Sequence, residues 1–249
     1  MKISATILVK NNEKTIRQTI NSIEEIVDEI IVVDDFSTDN TIDIIQSLTK
    51  KAKIYVRALD SDFAAQRNFS LEQCQNEWVI VIDSDEEITP ELGKSIASEV
   101  RIPNFNAYSC QRLNENIAGY SPAMLDRPIL MKRDVLWKGA LHETVEEPMG
   151  FINGDLLHHS WFGMEDYMND INKYTTWKAK AWIKEGRSYS IFTLCLRQPL
   201  MFLYIFLRRY VVERRFRHGS IGFLYSFAWA SEELFVGLKF YEMKIAKKE

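Results

Sequence analysis

The chain of 249 residues is 46% apolar and 27% charged, with 31 Lys and Arg against 35 Asp and Glu. That length suits one large α/β domain or a domain with a substantial appendage, and the composition excludes global disorder. The net charge of −4 conceals a split: residues 180–249 hold 13 Lys and Arg against 6 Asp and Glu, about +7, which leaves about −11 on residues 1–179. A uniformly acidic binder is thereby disfavoured, and a C-terminal segment facing an anionic surface is favoured.

The cysteines Cys74, Cys110 and Cys195 are far apart and form no Cys-x-x-Cys. A disulfide framework or thiolate metal cluster is not expected, and a reducing compartment is. The chain opens directly on a strand pattern, so no signal peptide is expected. Leu200–Leu207 is the most apolar run, but it has eight residues between Arg197 and Arg208. A spanning helix needs about 20, so the protein is expected not to cross a membrane.

In chain order, Ile3–Val9 reads as a strand, followed by a cap at Asn11 and Asn12 and a helix with Ile16, Ile20 and Ile23 on one face. Glu29–Val33 is the second strand, ending on Asp34-Asp35-Phe36-Ser37-Thr38-Asp39-Asn40, and its helix turns Ile42, Ile45 and Leu48 inward. Lys53–Val56 makes a third strand, and Ala64–Cys74 a helix that Asp62 can cap. Trp78–Ile82 is the fourth. Thr89-Pro90 then gives an N-cap with proline at the first helical position, opening a helix to about Val100. Residues 104–160 read as further strands, clearest at Ala107–Arg112 and Pro128–Lys132, and the pattern is helical from Met164 onward.

Strands alternating with helices predict right-handed β-α-β units and a mainly parallel sheet, with ligands beyond the carboxyl ends of its strands. Three polar clusters fall at those ends: Lys10–Glu13, Asp34-Asp35 and Asp83–Asp85. No Gly-x-Gly-x-x-Gly or Walker loop is present, which disfavours a dinucleotide fold or a P-loop enzyme.

The densest of these clusters closes the fourth strand, where Asp83, Asp85, Glu86 and Glu87 fall within five residues. Burying so many unpaired carboxylates is costly. Oxygen ligands at a strand end suit a hard divalent cation, Mg2+ or Mn2+, with bound phosphates; a solvated acidic turn is the plain alternative. Asp34-Asp35 could accept a hydrogen bond from a nucleobase or simply cap its turn. Arg67 is a natural partner for a diphosphate or for the acidic loop, or an ordinary surface residue. In Trp137-Lys138-Gly139-Ala140-Leu141-His142-Glu143, Glu143 could act as general base on an acceptor hydroxyl and His142 could bind metal or diphosphate. One imidazole of His158-His159 could complete a metal shell or pack as core.

Together the motifs become recognisable. The chain resembles the family-2 glycosyltransferases in Ser4-Ala5-Thr6-Ile7-Leu8-Val9-Lys10-Asn11-Asn12-Glu13, in Glu29-Ile30-Ile31-Val32-Val33-Asp34-Asp35-Phe36-Ser37-Thr38-Asp39-Asn40-Thr41, and in Asp83-Ser84-Asp85. The resemblance implies a GT-A fold, an α/β sheet sandwiched by helices with a helical C-terminal extension, and inverting transfer from a UDP-sugar. It assigns the nucleotide-sugar to Thr6, Leu8, Lys10, Asn12, Glu13, Asp34, Asp35, Arg67, Asp83 and Ser84. It assigns the metal-diphosphate to Asp85 and the chemistry to Asp85 and Glu143; His142 and His159 are expected to complete the divalent metal's ligands beside Asp85. Phe36 stands where many relatives have Gly, which is expected to alter the turn and not the chemistry. Glu86 and Glu87 are expected to be turn and helix-approach residues.

Phe63-Ala64-Ala65-Gln66-Arg67-Asn68, the Trp137 to Glu143 stretch and the basic, aromatic C-terminus are similar to the branch of lipopolysaccharide-core β-glucosyltransferases. A hexose, glucose foremost, would pass to a lipid-linked or other glycan acceptor. Another glycan or a protein acceptor, a nucleotidyltransferase and a non-enzymatic sugar-nucleotide binder are the rivals. Residues 1–160 would form the catalytic domain and 161–249 a helical region for acceptor or membrane docking. Aromatics and arginines interleave from 200 to 229, which suits interfacial helices on anionic lipid, with Gly219 and Gly222 separating the two helices. No nucleic-acid motif accompanies the arginines. The expected location is cytoplasmic, peripheral on the inner face of the cell membrane.

Overall fold

The computed structural model describes residues 2–116, 119–125, 127–139, 143–159 and 164–246. They divide into two compact units, Met1–Asn116 with Tyr120–Ser160, and Ile117–Gly119 with Trp161–Glu249.

The first unit begins with three strand-helix repeats and a fourth strand: β1 (Ile3–Val9), α1 (Ile16–Ile23), β2 (Glu29–Asp34), α2 (Thr41–Leu48), β3 (Ala52–Val56), α3 (Phe63–Gln73) and β4 (Trp78–Val81). The order β3-β2-β1-β4 is parallel throughout. Alternate residues explain why both faces are covered. Ile7, Ile30, Val32 and Ile80 pack with Ile16, Ile20 and Ile23 of α1, while Ile31, Val33, Val79 and Val81 pack with Ala64 and Leu71 of α3. Such continuous apolar runs mark parallel strands buried on both sides. Asp62 caps α3 by accepting from Ala65 N at 2.9 Å. Asn12 serves α1 differently from the expected side-chain cap: its backbone carbonyl receives the amides of Thr15 and Ile16.

The polypeptide then forms β5 (Glu86–Ile88), α4 (Pro90–Glu99), β6 (Ala107–Asn116), β7 (Gly119–Met124), β8 (Leu130–Lys132), β9 (Trp137–Lys138), β10 (Thr144–Val145) and β11 (Met149–His158). The sheet continues beyond β4 as β8-β6-β11-β5, with β7 on β6. Here it is mixed, because β8 and β5 run antiparallel to their neighbours. One expectation fails at this point. Glu86 is not a turn residue; it enters β5 opposite His158 and is fully buried.

The second unit holds α5 (Met164–Lys184), α6 (Ile191–Leu207) and α7 (Gly219–Ala246), with a π turn at Arg208–Val212 and a 3-10 turn at Arg215–His218. Its core gathers Ala179, Trp182, Leu194, Val236 and Phe240. Gly219, at φ +60, marks the break between α6 and α7, but Gly222 lies inside α7. A Cβ there would come within 1.9 Å of the Arg215 carbonyl oxygen, so Gly222 seats the helix against the turn. The apolar stretch also exceeds Leu200–Leu207. Because the π turn prolongs α6, Ile191–Val212 spans 22 residues, long and apolar enough to cross a membrane by length and composition.

Candidate functional site

The strand order brings the carboxyl ends of β1, β2 and β4 side by side, and the loops there are laced together. Asn11 N donates to Ser37 Oγ at 3.0 Å, Thr38 N to Asn11 Oδ1 at 2.7 Å, and Asn12 N to Thr41 Oγ1 at 2.7 Å. Glu13 accepts from the Asn40 amide and side chain. Thr6 is buried within β1 and Leu8 packs against the core, so neither side chain is a free polar ligand. Asp34 is almost wholly buried and accepts from Ser37 N at 3.0 Å, which spends it on its own turn. Asp35 is tied by Lys10 Nζ at 2.6 Å and Leu59 N at 3.1 Å. Phe36 takes φ +57, the left-handed conformation that glycine adopts freely. Phe36 takes that conformation without being glycine, and it stands 59% exposed at the tip of the turn.

Beyond β4 the carboxylates divide. Asp83 Oδ1 accepts from Arg67 Nη2 at 2.9 Å, and Oδ2 from Arg127 Nη2 at 3.0 Å. Burial alone would raise the Asp83 pKa, but the Arg127 and Arg67 guanidiniums outweigh it and hold it well below the usual carboxylate range. Arg127 Nη2 also reaches Glu86 Oε2 at 2.5 Å and its Nη1 donates to Val81 O at 3.0 Å. Glu86 is pushed up, first by burial and then by Asp83, against the pull of Arg127. Ser84 is buried, and its carbonyl accepts from Thr19 Oγ1 at 3.0 Å.

Arg67 links this hub to the predicted base. Its Nε donates to Glu143 Oε1 at 2.9 Å, and its guanidinium lies 5.1 Å from the centre of the Trp137 ring. Asn68 fixes that ring's strand by exchanging two bonds with the Trp137 backbone, 3.0 and 2.9 Å long. Residues from α3, β4 and the β9–β10 segment therefore converge although 76 positions separate Arg67 from Glu143. Arg127 was not anticipated from sequence; its only signal is a lone arginine beside an apolar strand. His142 lies outside the described residues.

Asp85 meets no Lys or Arg among the described residues, and its side chain is 34% exposed. The imidazole that reaches it is His158, with Nε2 at 3.5 Å from Oδ2, and not His159. Adjacent residues of a strand face opposite ways, and His159 is instead engaged by Glu115 at 2.6 Å and Glu87 at 3.1 Å. Burial lowers the His158 pKa, but Asp85 and Glu86 more than offset it, and the net shift is upward. Among the described residues no group of three or more His, Cys, Asp or Glu forms a closed metal cage. A carboxylate with one imidazole still fits a divalent cation that takes its remaining ligands from phosphate and water, as Mg2+ and Mn2+ sites do.

Known proteins agree with this architecture. Residues 4–166 match the family model described as glycosyl transferase family 2. An uncharacterized glycosyltransferase, RT0209 of Rickettsia typhi, is 28% identical over 92% of this chain and 83% of its own length. The lipopolysaccharide core biosynthesis glycosyltransferase LpsC of Rhizobium meliloti is 27% identical over 99% of this chain and 94% of its own. Among solved structures, S. aureus TarS 1–349 superposes with TM-score 0.51 at 16% identity over 99% of this chain and 92% of that one, and has also been crystallised with UDP-GlcNAc. The shared fold is GT-A, and with the family model covering well over half of its length, the chain belongs to glycosyl transferase family 2.

Proposed function

We propose that this glycosyltransferase moves a hexose, glucose foremost, from a UDP-sugar to a surface-glycan acceptor of the lipopolysaccharide-core kind, with inversion at the anomeric carbon. The observation that carries the reading is the convergence of Asp83, Asp85, Arg67 and Glu143 at the carboxyl end of β4. The full-length similarity to LpsC supports the acceptor class. Asp35, Lys10 and the laced loops after β1 and β2 would receive the nucleoside, Asp83 the ribose, and Arg67 the diphosphate. A divalent cation would be held by Asp85 and His158, where it would supply charge stabilisation for the leaving diphosphate. His158 replaces His159 in that role because of the geometry above.

Glu143 presents one oxygen to Arg67, and Oε2 makes no hydrogen bond among the described residues. In the proposed step the acceptor hydroxyl gives its proton to Glu143, and its oxygen forms a bond to the anomeric carbon. The carbon–oxygen bond to the β-phosphate breaks, and its electron pair leaves on UDP. One displacement inverts the centre without an enzyme nucleophile. The proposed location is cytoplasmic, in keeping with a UDP-sugar donor.

A panel of nucleotide sugars, assayed for UDP release with and without Mn2+, tests the donor. Glu143→Gln should lower kcat by roughly 10²–10⁴ with little change in donor KM. Asp85→Asn should lose Mn2+-dependent turnover. Turnover near wild type in either variant, with the right acceptor present, would sink the assignment.

A further inference from the structure

We propose that α6 and the two turns after it form a docking surface for an anionic lipid bilayer, on which the protein lies without crossing it. The inference deepens the reading above and rests on it only for the lipid-linked acceptor; the binding itself stands on the observations that follow.

Phe192, Leu196, Leu200, Leu203, Leu207 and Val211 are spaced four, four, three, four and four residues apart, which places them along one face of the helix. All six are exposed, from 46% at Leu207 to 76% at Phe192. A soluble helix with its partners in place does not leave so long an apolar stripe in water. The opposite face is occupied: Leu194 and Gln198 are buried, and a Cβ at Gly237 of α7 would fall 2.3 Å from Gln198 Nε2.

Charge selects the occupant. From Ile191 to His218 there are six arginines and a single acid, Glu213. Glu213 is already engaged by Arg209 at 3.0 Å and Arg215 at 3.4 Å. Arg208, Arg214 and Arg217 are exposed beside the C-terminal end of the stripe and form no ion pair among the described residues. A second copy of this surface would bring more arginines and no unengaged carboxylate, so self-pairing would leave these cations unmatched. Lipid phosphates match them, and acyl chains accept the stripe.

The 22-residue length would permit a span, but the packing opposes one. Arg197, midway along α6, lies 3.7 Å from Glu233 and 5.4 Å from the Trp182 ring centre, within its own unit. Withdrawing α6 into the bilayer would expose Gln198 and an unpaired Arg197 to hydrocarbon.

The full-length protein should float with phosphatidylcholine vesicles containing about one-third phosphatidylglycerol at low salt, and be released by about 0.5 M NaCl. Leu203→Glu with Leu207→Glu should abolish flotation, and alanine at Arg208, Arg214 and Arg217 should weaken it by at least about tenfold. Both variants should keep the wild-type melting temperature and the wild-type rate of UDP release in solution. That rate reports on the donor chemistry separately from lipid binding. Failure of the wild-type protein to float on anionic vesicles overturns the proposal. So does resistance of the bound protein to alkaline carbonate, which would mean a span. A solution dimer that Leu203→Glu and Leu207→Glu dissociate, without vesicle binding, would assign the stripe to a second copy instead.

Discussion

Arg127 holds two carboxylates of one strand end with a single nitrogen, 3.0 Å from Asp83 and 2.5 Å from Glu86. Removing it would leave the fully buried Glu86 facing only the more distant Arg112 among the described residues, whose Nη1 stands 3.9 Å from Oε1. Arg127→Met should therefore destabilise the first unit by about 3–5 kcal/mol in urea unfolding. Adding Glu86→Met should recover more than half of that loss, because Asp83 would keep Arg67 and the uncompensated charge would be gone. A single variant within about 1 kcal/mol of wild type would show that the pair is not electrostatically buried. Sequence could place Asp83 and Asp85, because their neighbours in the chain announce a strand end. It could not place Arg127, 44 residues from Asp83, because only the antiparallel insertion of β8 beside β4 brings that arginine in. Glu86 was misread for a related reason. An acidic run looks like a turn until β11 pairs with it, and the same pairing decides which of two adjacent histidines faces Asp85.

The elements that were easiest to read, β1 to α3, owe their clarity to repeating apolar runs and local caps. Their stability has local controls too. Glu29, at the start of β2, accepts from Ser4 Oγ at 2.7 Å, Gln75 N at 2.5 Å and Lys53 Nζ at 3.1 Å. Burial opposes its charge, but these three partners prevail and hold its pKa below the ordinary value. A depressed acid contributes stability above its unfolded pKa of about 4.3, and that contribution disappears as pH falls through the folded value. Glu29→Gln should thus cost about 1–2 kcal/mol at neutral pH, and its stability curve should converge with wild type in acid as pH falls through the depressed folded value. Parallel curves at every pH would rule the linkage out. Further along, β11 shifts register between Phe151 and Asp155, and Gly154 sits there at φ +112. A Cβ would lie 2.5 Å from the Leu92 backbone at the start of α4. Gly154→Ala should cost about 1–3 kcal/mol from backbone strain alone, with the contact adding to it, measurable as a lowered urea midpoint. Nothing in the spacing of residues 149–158 announces that bulge, since it follows from how closely β11 approaches α4.

At the scale of the molecule, each of the two units builds its own apolar packing. One surrounds the parallel strands through Ile7, Val32 and Ile80, and the other joins Trp182, Leu194 and Phe240 among three helices. The helical half was legible as helix but not as a surface, because which residues of α6 face α7 depends on packing that periodicity alone leaves open. Units with separate cores need not unfold together. Calorimetry of the full chain should resolve two transitions. A core substitution confined to the helices, Phe240→Leu, should lower one and leave the other in place. UDP with MnCl2 should raise the transition that Phe240→Leu leaves unmoved, because the proposed nucleotide site lies wholly within the strand-bearing unit. At a concentration about 100 times its Kd, a ligand bound only by the folded state adds about 2.7 kcal/mol, ample for a visible shift. A single transition, moved as one by both the nucleotide and Phe240→Leu, would mean that the two units melt cooperatively. In that case donor binding at the strand ends would also stabilise the surface that α6 presents to lipid.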